Sequence, residues 1–83
     1  MKLDIRYFAW LRERVGTAAE QVETKATTVA GLIDELRARD EGYAYAFSDL
    51  ASIRAAVDQS LVAFDAPLAG AREVAFFPPM TGG

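Results

Sequence analysis

The residues with the most chemical promise close the chain: Phe76-Phe77-Pro78-Pro79-Met80-Thr81-Gly82-Gly83. Two aromatic side chains favour burial, two prolines cannot donate to a β ladder, and two glycines leave the last carboxylate without flanking side chains. The pattern is that of a segment anchored at one end, stiffened in the middle and bare at the tip. Glycine at 82 and 83 leaves that end without Cβ atoms and free to take dihedrals closed to other residues. Pro78 and Pro79 hold the approach extended with fixed φ.

Composition removes competing chemistries. The chain has no cysteine and no histidine, so thiolate nucleophiles, disulfides, imidazole bases and the usual zinc ligand sets are excluded from it. Nine Lys and Arg against twelve Asp and Glu, a net charge of −3, make no basic face for a nucleic acid. No apolar run approaches the length of a membrane span and no leader-like segment precedes the fold, so a cytoplasmic protein without a membrane partner is expected. With 83 residues, 52% of them hydrophobic, the chain makes one domain around one core and is too small for a cleft between lobes.

The elements that must hold the terminal segment follow from periodicity. Residues 2–8 alternate Leu3, Ile5 and Tyr7 with Lys2, Asp4 and Arg6, the period of a strand with one face on a core. Trp10, Leu11 and Val15 recur at helical spacing before Gly16, a residue that commonly ends a helix, so a short helix is expected over 9–15. Val22 among Glu20, Gln21, Glu23 and Thr24 fits an exposed second strand over 18–24 that pairs with the first. Thr27 and Thr28 offer capping hydroxyls ahead of Val29, Leu32, Ile33 and Leu36, a stripe that predicts the main helix, ending near residues 40–42.

From Tyr43 to Leu50 no clean period emerges, and at most a short helical turn is expected there, plugging the core with Tyr45 or Phe47. Ile53, Ala55 and Val57 alternate with outward residues, and Leu61 to Phe64 follows a turn at Asp58-Gln59, a predicted hairpin. After a loop over 65–70, residues 73–77 form the last strand. The order predicts an α+β domain, a mixed sheet packed on one side by the long helix. Val74 and Phe76 share one face and Glu73, Ala75 and Phe77 the other, so Phe77 faces outward if Val74 and Phe76 meet the helix. Trp10, Tyr45 and Phe47 read as core, and Arg12-Glu13-Arg14 as a solvated helix face.

Four pieces spanning nearly the whole chain then carry a resemblance: Phe8-Ala9-Trp10-Leu11-Arg12-Glu13 with Gly16, Thr28-Val29, Ala55-Ala56-Val57-Asp58-Gln59, and the run from Glu73 through Phe77, Pro78 and Pro79 to Gly83. Together they resemble the family of molybdopterin synthase small subunits, ubiquitin-like β-grasp sulfur carriers, the last piece being the most specific. The resemblance implies a β-grasp domain over 1–77, a mixed five-stranded sheet on one main helix with short accessory helices, and an extended tail over 78–83.

It further implies that an ATP-dependent, ubiquitin-activating-like enzyme adenylates Gly83 and that a sulfurtransferase donor converts it to a thiocarboxylate. The tail of Pro78, Pro79, Met80, Thr81 and Gly82 then inserts into the large subunit, in the family's paired small and large subunits (a heterotetramer). There the sulfur attacks cyclic pyranopterin monophosphate in molybdenum cofactor biosynthesis. Pterin-binding catalytic residues are implied in the large subunit, leaving this chain non-catalytic, with no bound cofactor or metal. Phe77 and Leu61 are implied as the apolar patch that grips the partner; ordinary core packing is the alternative if the strand phase is off by one.

Two positions depart from the family pattern. Asp58 stands where an Asn is usual, and Gly70-Ala71-Arg72 where an acidic Asp-Gly-Asp is usual. The first suits a turn equally well, whereas the second reverses a charge beside the partner-facing strand. Three other readings stay open. A thiamine-pathway sulfur carrier shares the fold and the Gly-Gly but usually lacks the helix after the first strand and the Phe-Phe-Pro-Pro approach. A ubiquitin-like protein modifier would end as an isopeptide on a lysine, and a plain interaction module would leave Gly82-Gly83 unexplained.

Overall fold

The alternation near the start yields β1 (Lys2–Tyr7), with Leu3, Ile5 and Tyr7 buried and Lys2, Asp4 and Arg6 exposed. A short helix, α1 (Trp10–Val15), ends where Gly16 turns left-handed at φ 96° and donates its N–H to the carbonyl of Arg12 at 2.8 Å; a residue without Cβ takes that conformation freely. β2 (Ala19–Glu23) returns antiparallel to β1 with Leu3 opposite Val22. The main helix, α2 (Val29–Arg37), is capped by the Thr28 hydroxyl, which accepts from the Gly31 N–H at 3.1 Å, and buries Val29, Leu32, Ile33 and Leu36. Next come α3 (Glu41–Ala46), a 3-10 turn over Leu50–Ser52, β3 (Arg54–Val57), β4 (Ser60–Val62) and β5 (Glu73–Phe77). The computed structural model describes residues 1–79; the expectations placed on Met80, Thr81, Gly82 and Gly83 lie outside the described residues.

The sheet order is β2-β1-β5-β3-β4, with β5 parallel to β1 and antiparallel to β3. This is the expected β-grasp: a mixed five-stranded sheet around one main helix, with two shorter helices beside it. The core joins Leu3, Ile5, Tyr7, Val74 and Phe76 of the sheet to Leu32, Ile33 and Leu36 of α2. Phe47 closes it from α3, meeting Phe76 edge-on with ring centroids 5.0 Å apart. Among the described residues no helix is long and apolar enough to cross a membrane.

The region between residues 37 and 47 corrects three expectations. The main helix stops at Arg37, short of 40–42, because Asp40 is extended and its carboxylate accepts from the Tyr43 N–H at 3.2 Å, starting α3. Within α3 the helical period turns Tyr43, Ala46 and Phe47 inward, so Tyr45 is 59% exposed instead of core. Arg14 covers that ring, its guanidinium carbon 3.9 Å from the Tyr45 centroid and 4.4 Å from that of Trp10. Arg14 is thereby half-buried and not part of a solvated face, while Arg12 and Glu13 are exposed and Trp10 packs half-buried against the core. Gly42 permits this approach of α3 to α1, since a Cβ there would stand 2.8 Å from the Arg14 carbonyl oxygen. The hairpin strand β4 is also shorter than expected, ending at Val62 and not Phe64.

Candidate functional site

Strand register sorts the sheet residues into two faces. Tyr7, Phe76, Ala55 and Val62 stand in one cross-strand row, and Ile5, Val74, Val57 and Ser60 in another; these rows hold the buried Tyr7, Ile5, Phe76, Val74 and Ala55 and so face the helix. The row between them, Arg6, Ala75, Ala56 and Leu61, therefore faces away. Phe77 lies on that outer side opposite Arg54. Phe8 extends the line of β1 by one residue, its N–H donating to the Phe76 carbonyl at 3.1 Å, and its parity with Arg6 puts it on the outer side beside Phe77.

The result is an apolar strip. Leu61 is 70% and Phe8 47% exposed, Phe77 is half-buried, and Ala75 and Ala56 fill the space between the strands. Large apolar side chains gathered on one exposed face mark an interaction surface more than isolated ones do. Arg6 and Arg54 border the strip; Arg6 meets Glu73 at 3.1 Å in an exposed pair, whereas the Arg54 guanidinium donates to the carbonyls of Ala51 and Ile53 at 3.2 and 3.0 Å. The two candidate contact residues, Leu61 and Phe77, thus share a face. Phe8 was not anticipated as a contact: Leu61 and Phe77 came from the family resemblance, and Phe8 reaches their face only through the pairing of β1 with β5.

The segment carrying Pro78 and Pro79 begins at the end of β5, the middle strand of the five. Neither proline has an N–H to extend a ladder, so pairing stops at Phe77, and both prolines are half-buried. The other end of β5 is pinned by the hairpin turn. Asp58 and Gln59 have φ of 48° and 73°, the positive values that a tight β3–β4 turn requires and that Asp tolerates well. The Asp58 carboxylate accepts from the N–H groups of both Arg72 and Glu73 at 3.0 Å, and its own N–H donates to the Glu73 carbonyl at 2.9 Å. An Asn carbonyl oxygen accepts equally, so this departure from the family pattern keeps the pin. Arg72 is exposed at that pinned end; five residue steps along the strand take it to Phe77, roughly 16 Å away.

A partly buried polar cluster stands apart from the strip. The Tyr7 and Tyr43 hydroxyls both donate to one oxygen of Glu20, at 2.8 and 2.7 Å, and Arg39 donates to the other at 3.3 Å while its guanidinium lies 5.2 Å from the Tyr43 ring centroid. Burial first, and then the hydrogen bond to Glu20, push the Tyr7 hydroxyl far above the ordinary phenol range and the Tyr43 hydroxyl up to about 12. Both phenols stay protonated at neutral pH and act as hydrogen-bond donors, and the cluster ties β1, β2 and α3 to Arg39, two residues past the end of α2. Among the described residues no group of three or more Asp and Glu is placed to hold a metal.

The family model described as the ThiS family matches residues 5–83. The chain is 44% identical over 81 residues to the molybdopterin synthase sulfur carrier subunit of Escherichia coli strain K12, covering 98% of this chain and 99% of that one. In fold it is similar to SAMP1, a small archaeal modifier protein from Haloferax volcanii, with a TM-score of 0.74 at 24% identity over the full length of both chains. It shares that fold too with a chain from the complex of subunits 1 and 2 of the molybdopterin-converting factor of Helicobacter pylori 26695, with a TM-score of 0.66 at 21% identity, again over all of both chains.

Proposed function

Because the chain belongs to the ThiS family, we propose that it is the sulfur carrier subunit of a molybdopterin synthase, with Gly83 as the residue that carries the sulfur. The observation that carries this reading is the 44% identity to the Escherichia coli carrier over nearly the whole of both chains. The apolar strip of Phe8, Leu61 and Phe77 supports it, since it gives a docking surface beside the root of Pro78-Pro79.

The chemistry follows from the weakness of a carboxylate as an electrophile. Delocalised negative charge shields its carbon, so an activating enzyme first uses ATP to form the mixed anhydride of Gly83 with AMP, releasing pyrophosphate. The outer sulfur of a donor protein's persulfide then displaces AMP to give an acyl disulfide, and a second thiol cleaves its S–S bond, leaving the thiocarboxylate on Gly83 and a disulfide on the donor side. With no cysteine in this chain, both the persulfide and that thiol belong to other proteins. Pro78 and Pro79 have fixed φ and favour an extended chain, and any six residues of extended chain span at most roughly 20 Å. Met80, Thr81 and Gly82 line the part that enters the large subunit, whose own residues bind the pterin and catalyse sulfur attack on it.

Adding one alanine after Gly83 tests the reading. The carboxylate moves by roughly 3.3 Å and gains a neighbouring Cβ, enough to spoil a near-attack geometry. Mass spectrometry after incubation with activating enzyme, ATP and sulfur donor is expected to show the oxygen-to-sulfur shift in the native chain and none in the extended one. Efficient sulfuration of the extended chain overturns the reading. Lysine isopeptides in place of a thiocarboxylate replace it with that of a modifier.

A further inference from the structure

Beside the apolar strip stands a cation for which the described chain supplies no counter-charge. Arg54 lies opposite Phe77 in the β3–β5 ladder and two residues along β3 from Ala56, which pairs with Leu61. Its parity with Ala56 puts it on the outer side of the sheet, at the end where β5 runs into Pro78. The residue is exposed, yet its head is held: Nη1 donates to the carbonyls of Ala51 and Ile53 at 3.2 and 3.0 Å. Those two bonds use both hydrogens of Nη1. Among the described residues Nε and Nη2 have no acceptor, and no carboxylate pairs with Arg54.

Neighbouring charges do not compensate it. Arg6, the other cation along the strip, is already paired with Glu73 at 3.1 Å. Asp49 accepts from the Ala51 N–H and the Ser52 hydroxyl, capping the 3-10 turn, and Asp58 accepts from the Arg72 and Glu73 N–H groups at the other end of β3. Asp4 and Glu73 stand in one row at that same far end. The outer face is thus acidic around Asp4, Glu73 and Asp58 and cationic beside Phe77, in a chain of net charge −3. A protein that docks on Phe77 and Leu61 displaces water from around this guanidinium, and there a charge left unmatched is costly while a matched one is selective. Nε–H and Nη2–H leave one edge of the planar head side by side, the spacing that takes both oxygens of a carboxylate.

We infer that Arg54 is a specificity residue of the docking face, taking an aspartate or glutamate carboxylate of the large subunit through Nε–H and Nη2–H, an assignment that rests on the carrier reading above. Arg54 lies outside the segments that carry the family resemblance. It therefore matches this carrier to its own partner, while Phe77 and Leu61 supply the apolar contact.

Calorimetric titration of the cognate large subunit tests this with the full chain and its Arg54→Lys, Arg54→Gln and Arg54→Glu variants. Kd is expected to rise least for Lys, which keeps the charge and loses the fork, at least ~10-fold for Gln and at least ~100-fold for Glu. Thermal denaturation is expected to differ little among them, because the side chain is exposed. Replacing the carboxylates of the large subunit one at a time by lysine is expected to find one position that binds Arg54→Glu better than the native chain. Leu61→Asp is the control for docking itself. Native affinity in all three Arg54 variants, with binding lost in Leu61→Asp, overturns the inference and leaves the docking reading in place. So do equal losses in the Lys, Gln and Glu variants, or a lysine scan without such a position. A native chain that fails to bind the large subunit overturns the carrier reading and this inference with it.

Discussion

Leu61→Asp separates docking from folding. Leu61 is 70% exposed on the edge strand β4, so little packing is lost; surface changes of this kind stay within about 0.5 kcal/mol, with at most about 1 kcal/mol if the poor strand preference of Asp is fully felt. For a domain of this length 1 kcal/mol moves the Tm by roughly 4–8 °C, so the melt is expected to fall by no more than that. Affinity responds differently. If Leu61 anchors the partner, burying a carboxylate in its place costs at least about 2 kcal/mol, or about 30-fold in Kd. Calorimetric titration with the large subunit, beside thermal denaturation followed by circular dichroism, reads both quantities. Leu61→Arg is the companion: equal losses with either charge point to the apolar contact, while a loss with one sign alone points to electrostatics. Unchanged affinity in both variants, or a collapse of the melt like that expected of the fully buried Phe76, refutes the assignment of Leu61 to the docking strip.

Asp58→Asn is expected to leave stability within about 0.5 kcal/mol, while Asp58→Ala, which removes the acceptor for two N–H groups, is expected to cost about 1–3 kcal/mol in a urea melt. Tyr43 gives a pH signature. Its hydroxyl is raised from 10 to about 12 by burial and by Glu20, so its contribution is whole below pH 10 and disappears as pH rises through 12. The difference in stability between the native chain and Tyr43→Phe is expected to shrink by about 2 kcal/mol across that window, and a constant difference would exclude the buried Tyr43–Glu20 bond.

What the sequence discloses depends on how local the cause is. The alternation of Leu3, Ile5 and Tyr7 and the stripe from Val29 to Leu36 are short-range patterns that packing reinforces, and β1 and α2 stand where they put them. The start of α3 depends on the Asp40 cap, and the room for it depends on Gly42 lying against the Arg14 carbonyl; the second cause comes from another helix and leaves no period to read. Tyr45 illustrates the same limit, since an aromatic residue is equally at home in a core or beneath an arginine. Parity places Phe77 and Leu61 outward once their strands are drawn. The Glu20 cluster was hidden, because its tyrosines come from 13 and 23 residues away. Gly82 and Gly83 were legible by residue type and family resemblance, which speak to chemistry and not to shape.

The parallel pairing of β5 with β1 and its antiparallel pairing with β3 also have a mechanical meaning. A pull applied at Pro79 along the axis of β5 loads the hydrogen bonds of both flanking ladders in shear, so they resist together and do not unzip one by one. A strand at the margin of a sheet, pulled away sideways, would peel. By this geometry a partner can tug repeatedly on the segment that follows Phe77 while the domain behind it acts as a rigid handle.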